Sequence, residues 1–110
     1  MTAPVQKQVL INARALIADP AHWTRSVLAC TAAGDNIAWY DPSAAKWCAV
    51  GAIYRATFDL VGDPREATRI GKKVARSISP IWCCRSLMSI NDLRGHEAVL
   101  AVFDKALAAA

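Results

Sequence analysis

The sequence has no long apolar run and no recognisable targeting segment. No stretch approaches the roughly 18 uninterrupted apolar residues that a membrane-spanning helix needs. The first ten residues, MTAPVQKQVL, lack the basic start, apolar centre and small-residue cleavage site of a signal peptide. We therefore expect a cytoplasmic protein that does not associate with membranes.

Several chemical motifs are also missing. Neither G-x-x-x-x-G-K nor G-x-G-x-x-G occurs, so the usual phosphate-binding loops are excluded. No C-x-x-C pair occurs either, although zinc sites usually place paired ligands two to four residues apart. The one set of candidate ligands, Cys48, Cys83, Cys84 and His96, would require two adjacent cysteines to reach a single metal. We predict no metal and no cofactor, and we interpret the cysteines as small buried hydrophobes.

What the chain does have is the composition of one globular domain. Its 110 residues suffice for a single core, so we predict one helical domain spanning residues 1–110. Hydrophobic residues make up 55 %, much of it alanine, which argues against disorder. The net charge of +4 and pI near 9.1 permit an anionic partner without demanding one.

Apolar positions at helical spacing predict helices at 4–18, 41–61, 64–78 and 94–108. Aspartate–proline pairs mark the starts of the second and third, at 41–42 and 63–64. Asp supplies an N-cap oxygen, and proline at the first helical position lacks an N–H that would be unpaired anyway. The segment 41–61 is the most apolar of the predicted helices, and we expect it to be the buried central helix. Gly62 supplies its C-terminal stop.

Three stretches between these helices are less regular. Pro20 to Trp23 predicts a turn or one short helical turn. Apolar flanks around Gly34-Asp35-Asn36 predict a β-hairpin at about 27–40, with a helix ending at Gly34 as the alternative. Residues 79–90 fit a strand or a helix, and Asn91-Asp92 fits a turn or a cap ahead of the last helix. The fold class is thus mainly α, a small single-domain helical bundle with one short hairpin.

Two surface features indicate binding. The helix at 64–78 carries five cations against one acid, Glu66, so it can attract an anionic partner. Trp39 and Tyr40 would make an interface anchor if both were exposed, because such rings dominate binding hot spots. The candidate partner-binding residues are Arg65, Arg69, Lys72, Lys73, Arg76, Trp39 and Tyr40.

A catalytic reading of the sequence centres on Cys48. Pairing Cys48 with His96, oriented by Asn91 or Asp92, would give the residue types of a cysteine hydrolase or transferase. In a helix starting at Pro42, however, Cys48 lies nearly two turns inside, between apolar neighbours. Burial there raises a thiol pKa and makes the sulfur unreactive, so we treat Cys48, His96 and Asp92 as an alternative site only.

Most of the chain resembles a known family, and the specific parts of that resemblance are residues 47–52 and Asn91-Asp92. The segment 44–52 (AAKWCAVGA), the pair Asn91-Asp92 and the closing helix 99–107, together with 13–17 and His22-Trp23, are similar to short bacterial and phage proteins of unknown function. Those proteins share a Trp-Cys-Ala-x-Gly-Ala motif and a downstream Asn-Asp. The resemblance implies a prokaryotic or phage setting and no particular chemistry.

These observations favour a non-enzymatic protein that binds another macromolecule, either a protein or a nucleoprotein complex. An inhibitor of a host defence complex, similar to an anti-CRISPR protein, is one concrete version suited to a phage setting. Alternatives are the Cys48-dependent enzyme and non-specific nucleic-acid binding through residues 65–76. A homodimer is compatible with all three.

Overall fold

Helices dominate the chain. The computed structural model describes residues 3–80 and 84–110, without the side chains of residues 3 and 84. In chain order the elements are α1 (Ala3–Ile17), a 3-10 helix (Pro20–His22), β1 (Ala29–Cys30), β2 (Lys46–Trp47), α2 (Ala49–Val61), α3 (Pro64–Ile78), α4 (Cys84–Ser89), a π-helical turn (Ile90–Arg94) and α5 (His96–Ala109). The predicted mainly α fold with one short antiparallel strand pair is confirmed.

The central helix is α2, which packs against both α1 and α3. Eight of its thirteen residues are buried, so it supplies the middle of the core. Fully burying side chains such as Val50 and Ile53 stabilises the fold by about 1.5–3 kcal/mol each. Gly62 ends the helix with a left-handed φ of 77°, and its N–H bonds to the Phe58 carbonyl, as the sequence predicts.

The predicted start of this helix at Pro42 is wrong. Asp41 does accept a bond from the Ser43 amide at 2.8 Å, but the chain makes only a turn there. Lys46 and Trp47 then pair with Cys30 and Ala29 as an antiparallel ladder. The backbone of β2 therefore bonds across to β1 rather than along a helix, and α2 begins only at Ala49.

The strand pair also differs from the predicted hairpin in its second strand. β1 lies within the predicted range 27–40, but β2 follows sixteen residues after β1 instead of occupying 37–40. Within 31–40 only an isolated bridge joins Cys30 to Asn36, after a turn in which the Gly34 amide bonds to the Thr31 carbonyl. The alternative helix ending at Gly34 is not formed.

The other helices lie close to their predicted bounds. In α3, Asp63 caps the first turn by accepting from the Glu66 amide at 3.1 Å, and Pro64 follows as the first helical residue. Residues 84–89 form a helix, which decides that part of the ambiguous 79–90 segment, while 81–83 lie outside the described residues. The pair Asn91-Asp92 lies in the π-helical turn.

Candidate functional site

Cys48 is the N-cap of α2. It is the last non-helical residue, with φ −79° and ψ 176°, and its Sγ accepts a hydrogen bond from the Gly51 amide at 3.3 Å. The expectation that Cys48 lies two turns inside a helix is therefore wrong, because the helix starts one residue after it. The sulfur lies at the end of α2 where unpaired amides favour negative charge.

The surroundings nevertheless keep this sulfur protonated. Cys48 is only 5 % exposed, and burial raises its pKa above the ordinary value. The bonds from the amides of Gly51 and Val50 lower the pKa but do not outweigh burial, and the negative charge of Asp92 raises it further. At neutral pH Cys48 is a neutral thiol rather than the thiolate that nucleophilic catalysis needs.

Asn91 links the start of α2 to two other segments. Its side chain is fully buried, and its Oδ1 accepts from the Ala49 amide at 2.9 Å and from Trp23 Nε1 at 2.7 Å. Its Nδ2 donates to the Thr24 carbonyl and to Asp92 Oδ1, both at 3.0 Å. The predicted cap ahead of α5 is thus a cap on α2 instead. Gly95 precedes α5 without a side-chain cap.

Asp92 is held in a fixed orientation beside this cap. Its Oδ1 accepts from the Ser26 amide at 3.0 Å as well as from Asn91. Ser26 has a φ of 69°, which a residue with a side chain seldom adopts, so its amide is placed at some backbone cost. Asp92 Oδ2 receives no hydrogen bond from the described residues, and Asp92 forms no ion pair with them.

Two adjoining cavities open at Asp92. The inner cavity, about 110 Å³, is lined by Ser26, Val27, Leu28, Cys48, Met88 and Asp92. The outer groove, about 360 Å³, is lined by Arg85, Met88, Ser89, Asp92 and Leu93. Asp92 and Met88 belong to both, so the carboxylate lies where the two cavities meet.

His96 does not join this site. Its Nε2 lies 2.6 Å from the Ile17 carbonyl oxygen, an acceptor, so that nitrogen must carry the proton. Its ring packs 5.5 Å from the Trp23 ring, and no histidine lines either of the two described cavities. The structure therefore brings Cys48 and Asp92 together, but not the third member of the proposed catalytic set.

The five cations of α3 share one exposed face. At 3.6 residues per turn, they fall within about 100° of the helix circumference, over about 17 Å of its length. The opposite side of the helix is buried through Ala67, Gly71, Val74 and Ala75. We call this surface the basic face; its members are Arg65, Arg69, Lys72, Lys73 and Arg76.

Arg69 of the basic face pairs with an acid on its own helix. Arg69 forms two bonds of 2.7 Å with the Glu66 carboxylate, which lower the pKa of Glu66 and raise that of Arg69. Within the described residues, Arg65, Lys73 and Arg76 form no ion pair. These three side chains can therefore meet an outside anion without breaking an internal ion pair.

The aromatic pair Trp39-Tyr40 is only half exposed. Trp39 is 8 % exposed and packs against Tyr40, Tyr54 and Phe58, so it does not meet the condition that both rings of the interface anchor be exposed. The Trp39 carbonyl oxygen also accepts a hydrogen bond from Trp47 Nε1, which helps to hold Trp39 in the core. Tyr40 is 43 % exposed and lies on this cluster as a surface ring.

Residues 3–80 and 84–110 contain neither a cluster of metal ligands nor a helix of membrane-spanning character. No group of three or more His, Cys, Asp or Glu residues gathers there as a metal site would require. Cys83 and the Cys84 side chain lie outside what the structure describes. No described helix has both the length and the hydropathy to cross a bilayer.

Ser26 and Met88 are the site residues that the sequence reasoning missed. Neither carries a local signal, because each acts only through contact with Asp92 or Cys48 across the fold. Fold and site together define a small, mainly α protein whose central helix is capped by a buried asparagine.

The chain belongs to a family of unknown function, DUF6197, whose model matches residues 1–109. Membership of such a family is what the resemblance implied. Comparison with curated proteins and with solved structures found no match.

Proposed function

We propose that this protein works by binding an anionic surface of another macromolecule through the basic face of α3. The observation that supports this proposal is the grouping of all five cations of α3 on one exposed side of a well-anchored helix. A concentrated positive field of this kind accelerates encounter with an anionic partner and favours the complex once formed.

The helix that carries these charges is held firmly. Its buried side packs on α2, where a Cβ at Gly71 would come within 2.5 Å of Tyr54 Cδ1, so the two helices are in close contact. Asp63 and Pro64 fix the first turn. A rigid carrier reduces the entropy lost on binding, which leaves more of the interaction energy as affinity.

The partner that fits is a protein or nucleoprotein complex with an acidic or phosphate-bearing surface, and we place the protein with it in the cytoplasm. An inhibitor of a host defence complex in a phage setting is one such case. Tyr40, a half-exposed ring, is the proposed second contact, because aromatic side chains contribute strongly at interfaces.

Two triple variants with equal loss of charge provide the test. The first, Arg65→Gln/Lys73→Gln/Arg76→Gln, removes the three basic-face cations that form no described ion pair. The control, Lys7→Gln/Arg94→Gln/Lys105→Gln, removes three exposed cations outside α3. The tagged chain, cross-linked in host cells, should capture its partner with the control variant and lose it with the first. Equal capture by both variants would contradict the proposal.

Direct nucleic-acid binding is examined with the same pair of variants. Fluorescence anisotropy with a labelled duplex should show affinity that falls steeply with salt, because bound phosphates release counterions. The basic-face variant should lower the slope of log affinity against log salt by the amount expected for about three phosphate contacts. The control variant should leave that slope unchanged. Absence of salt-dependent binding would contradict direct nucleic-acid binding by the basic face.

A further inference from the structure

We propose that the inner cavity beside Asp92 is a binding site for a small primary alkylammonium ligand. The ammonium group bonds to Asp92 Oδ2, and a short alkyl chain lies against Val27, Leu28 and Met88. This site lies apart from the basic face and does not depend on the proposed function.

The Asp92 carboxylate is the proposed contact for the ammonium group. Two donors, the Ser26 amide and Asn91 Nδ2, already bond to Oδ1 and fix the orientation of the group. Oδ2 receives no donor from the described residues, and Asp92 forms no described ion pair although the chain carries thirteen cations. A carboxylate held in one orientation, with one oxygen that no described residue bonds to, is suited to an external donor.

The walls of the inner cavity are mostly apolar. Apart from Ser26 and Asp92, the inner cavity is lined by the apolar side chains of Val27, Leu28 and Met88 and by the buried Cys48. Among the described residues that line it, Asp92 is the one charged group, so the sign of the complementary ligand charge is positive. Reduced solvent access strengthens this attraction relative to bulk water.

The size of the inner cavity fits a short alkyl chain. At about 30 Å³ for each water-sized group, a cavity of about 110 Å³ holds roughly three or four such groups. An alkyl chain of that length, placed in the inner cavity, ends beside Asp92, where the inner cavity meets the outer groove. The ammonium group then contacts the carboxylate while the carbons remain in the inner cavity. Pockets of this kind commonly combine apolar walls with a few polar groups that fix ligand orientation.

The test is an NMR titration of the full chain with n-butylammonium chloride at constant ionic strength. We expect saturable shifts that include the Ser26 amide, since that N–H donates to the carboxylate that the ligand engages. n-Butanol, the neutral analogue, and sodium butyrate, the anionic one, should bind at least about tenfold more weakly, because only a cation gains a charged bond to Asp92.

Asp92→Asn is the matched variant. Its amide oxygen still accepts from Ser26 and Asn91, but an NH₂ group replaces the unsatisfied Oδ2 and the charge is removed. Affinity for n-butylammonium should fall about tenfold or more, whereas Asp35→Asn, which removes an exposed carboxylate elsewhere, should leave it unchanged.

Four results would each overturn the proposal. They are no saturable shift with n-butylammonium, equal binding of n-butanol, unchanged affinity in Asp92→Asn, or an equal loss in Asp35→Asn. The analogue series uses the unaltered chain, so it decides the charge requirement even where a variant does not fold.

Discussion

Asn91 caps α2 from 42 residues further along the chain, by accepting a hydrogen bond from the Ala49 amide at 2.9 Å. The same carboxamide bonds to Trp23 Nε1, the Thr24 carbonyl and Asp92, so its hydrogen-bonding groups have partners although no water reaches it. The two most specific parts of the family resemblance, residues 47–52 and the Asn-Asp pair, therefore meet in one network. That network fixes both the N-terminus of the core helix and the carboxylate at the cavities.

The first prediction concerns the donor half of this side chain. Asn91→Asp keeps an acceptor for Ala49 and Trp23 but removes the donor to Thr24 and puts a buried carboxylate beside the half-buried Asp92. We expect a loss of about 3–5 kcal/mol at pH 7, as when a buried charge lacks a partner. Burial and Asp92 both favour the protonated form, so stability relative to wild type should recover as pH falls toward 4. Urea unfolding at pH 7 and pH 4.5 measures the difference. A loss that does not depend on pH would contradict this account.

Local sequence signals predicted some helix starts and ends correctly. They failed where hydrogen bonds to distant residues determine the local structure. Asp63-Pro64 starts α3 and Gly62 ends α2, as the sequence indicates, because the cap bonds lie within a few residues. Asp41-Pro42 carries the same local signal but starts no helix, because residues 46 and 47 bond to β1. The amphipathic pattern of α3 likewise placed its cations on one face, since helical spacing alone determines that arrangement.

The cavity site could not be predicted in this way. Ser26 and Asp92 are 66 residues apart, and neither the left-handed backbone at Ser26 nor its bond to Asp92 has a local sequence signal. Cys48 was correctly interpreted as buried, but for the wrong reason. It is the N-cap of α2 and lies against the segment before β1. The Cys48 amide donates a hydrogen bond to the Leu28 carbonyl oxygen in that segment.

The second prediction concerns Gly51. A Cβ at this position would overlap the carbonyl oxygen of Leu28 and lie 2.8 Å from its carbonyl carbon, and a backbone cannot rotate away as a side chain can. Gly51→Ala should therefore destabilise the protein by about 2–4 kcal/mol, although alanine is favoured in helices by about 1 kcal/mol. Chemical denaturation measures the change. Ala52→Gly serves as the control, with the smaller loss of a glycine in a helix interior; a stabilised Gly51→Ala would exclude the close contact.

The third prediction concerns the reactivity of Cys48. Because the thiol is buried and its pKa is raised, iodoacetamide should modify Cys48 in the native protein at least about a hundredfold more slowly than in urea. Peptide mass spectrometry after short pulses follows this cysteine separately from the others. Fast native labelling at neutral pH would instead revive the cysteine-enzyme hypothesis, and His96→Ala would then show whether an imidazole takes part.

The last prediction separates the capping role of Cys48 from its ionisation. Cys48→Ser retains an acceptor for the Gly51 amide, whereas Cys48→Ala removes it and should be less stable than Cys48→Ser by about 1 kcal/mol at pH 7.

Wild type also has a pH dependence of stability that Cys48→Ser lacks. Its folded pKa lies above the ordinary value of 9.0, so the unfolded chain loses the thiol proton first. The stability that the protonated Cys48 thiol contributes is therefore complete below pH 9 and declines above it. Between pH 7 and pH 10, wild type should lose about 1 kcal/mol relative to Cys48→Ser in urea unfolding. Parallel pH profiles for the two proteins would mean that the thiol ionises as easily in the folded chain as in the unfolded one.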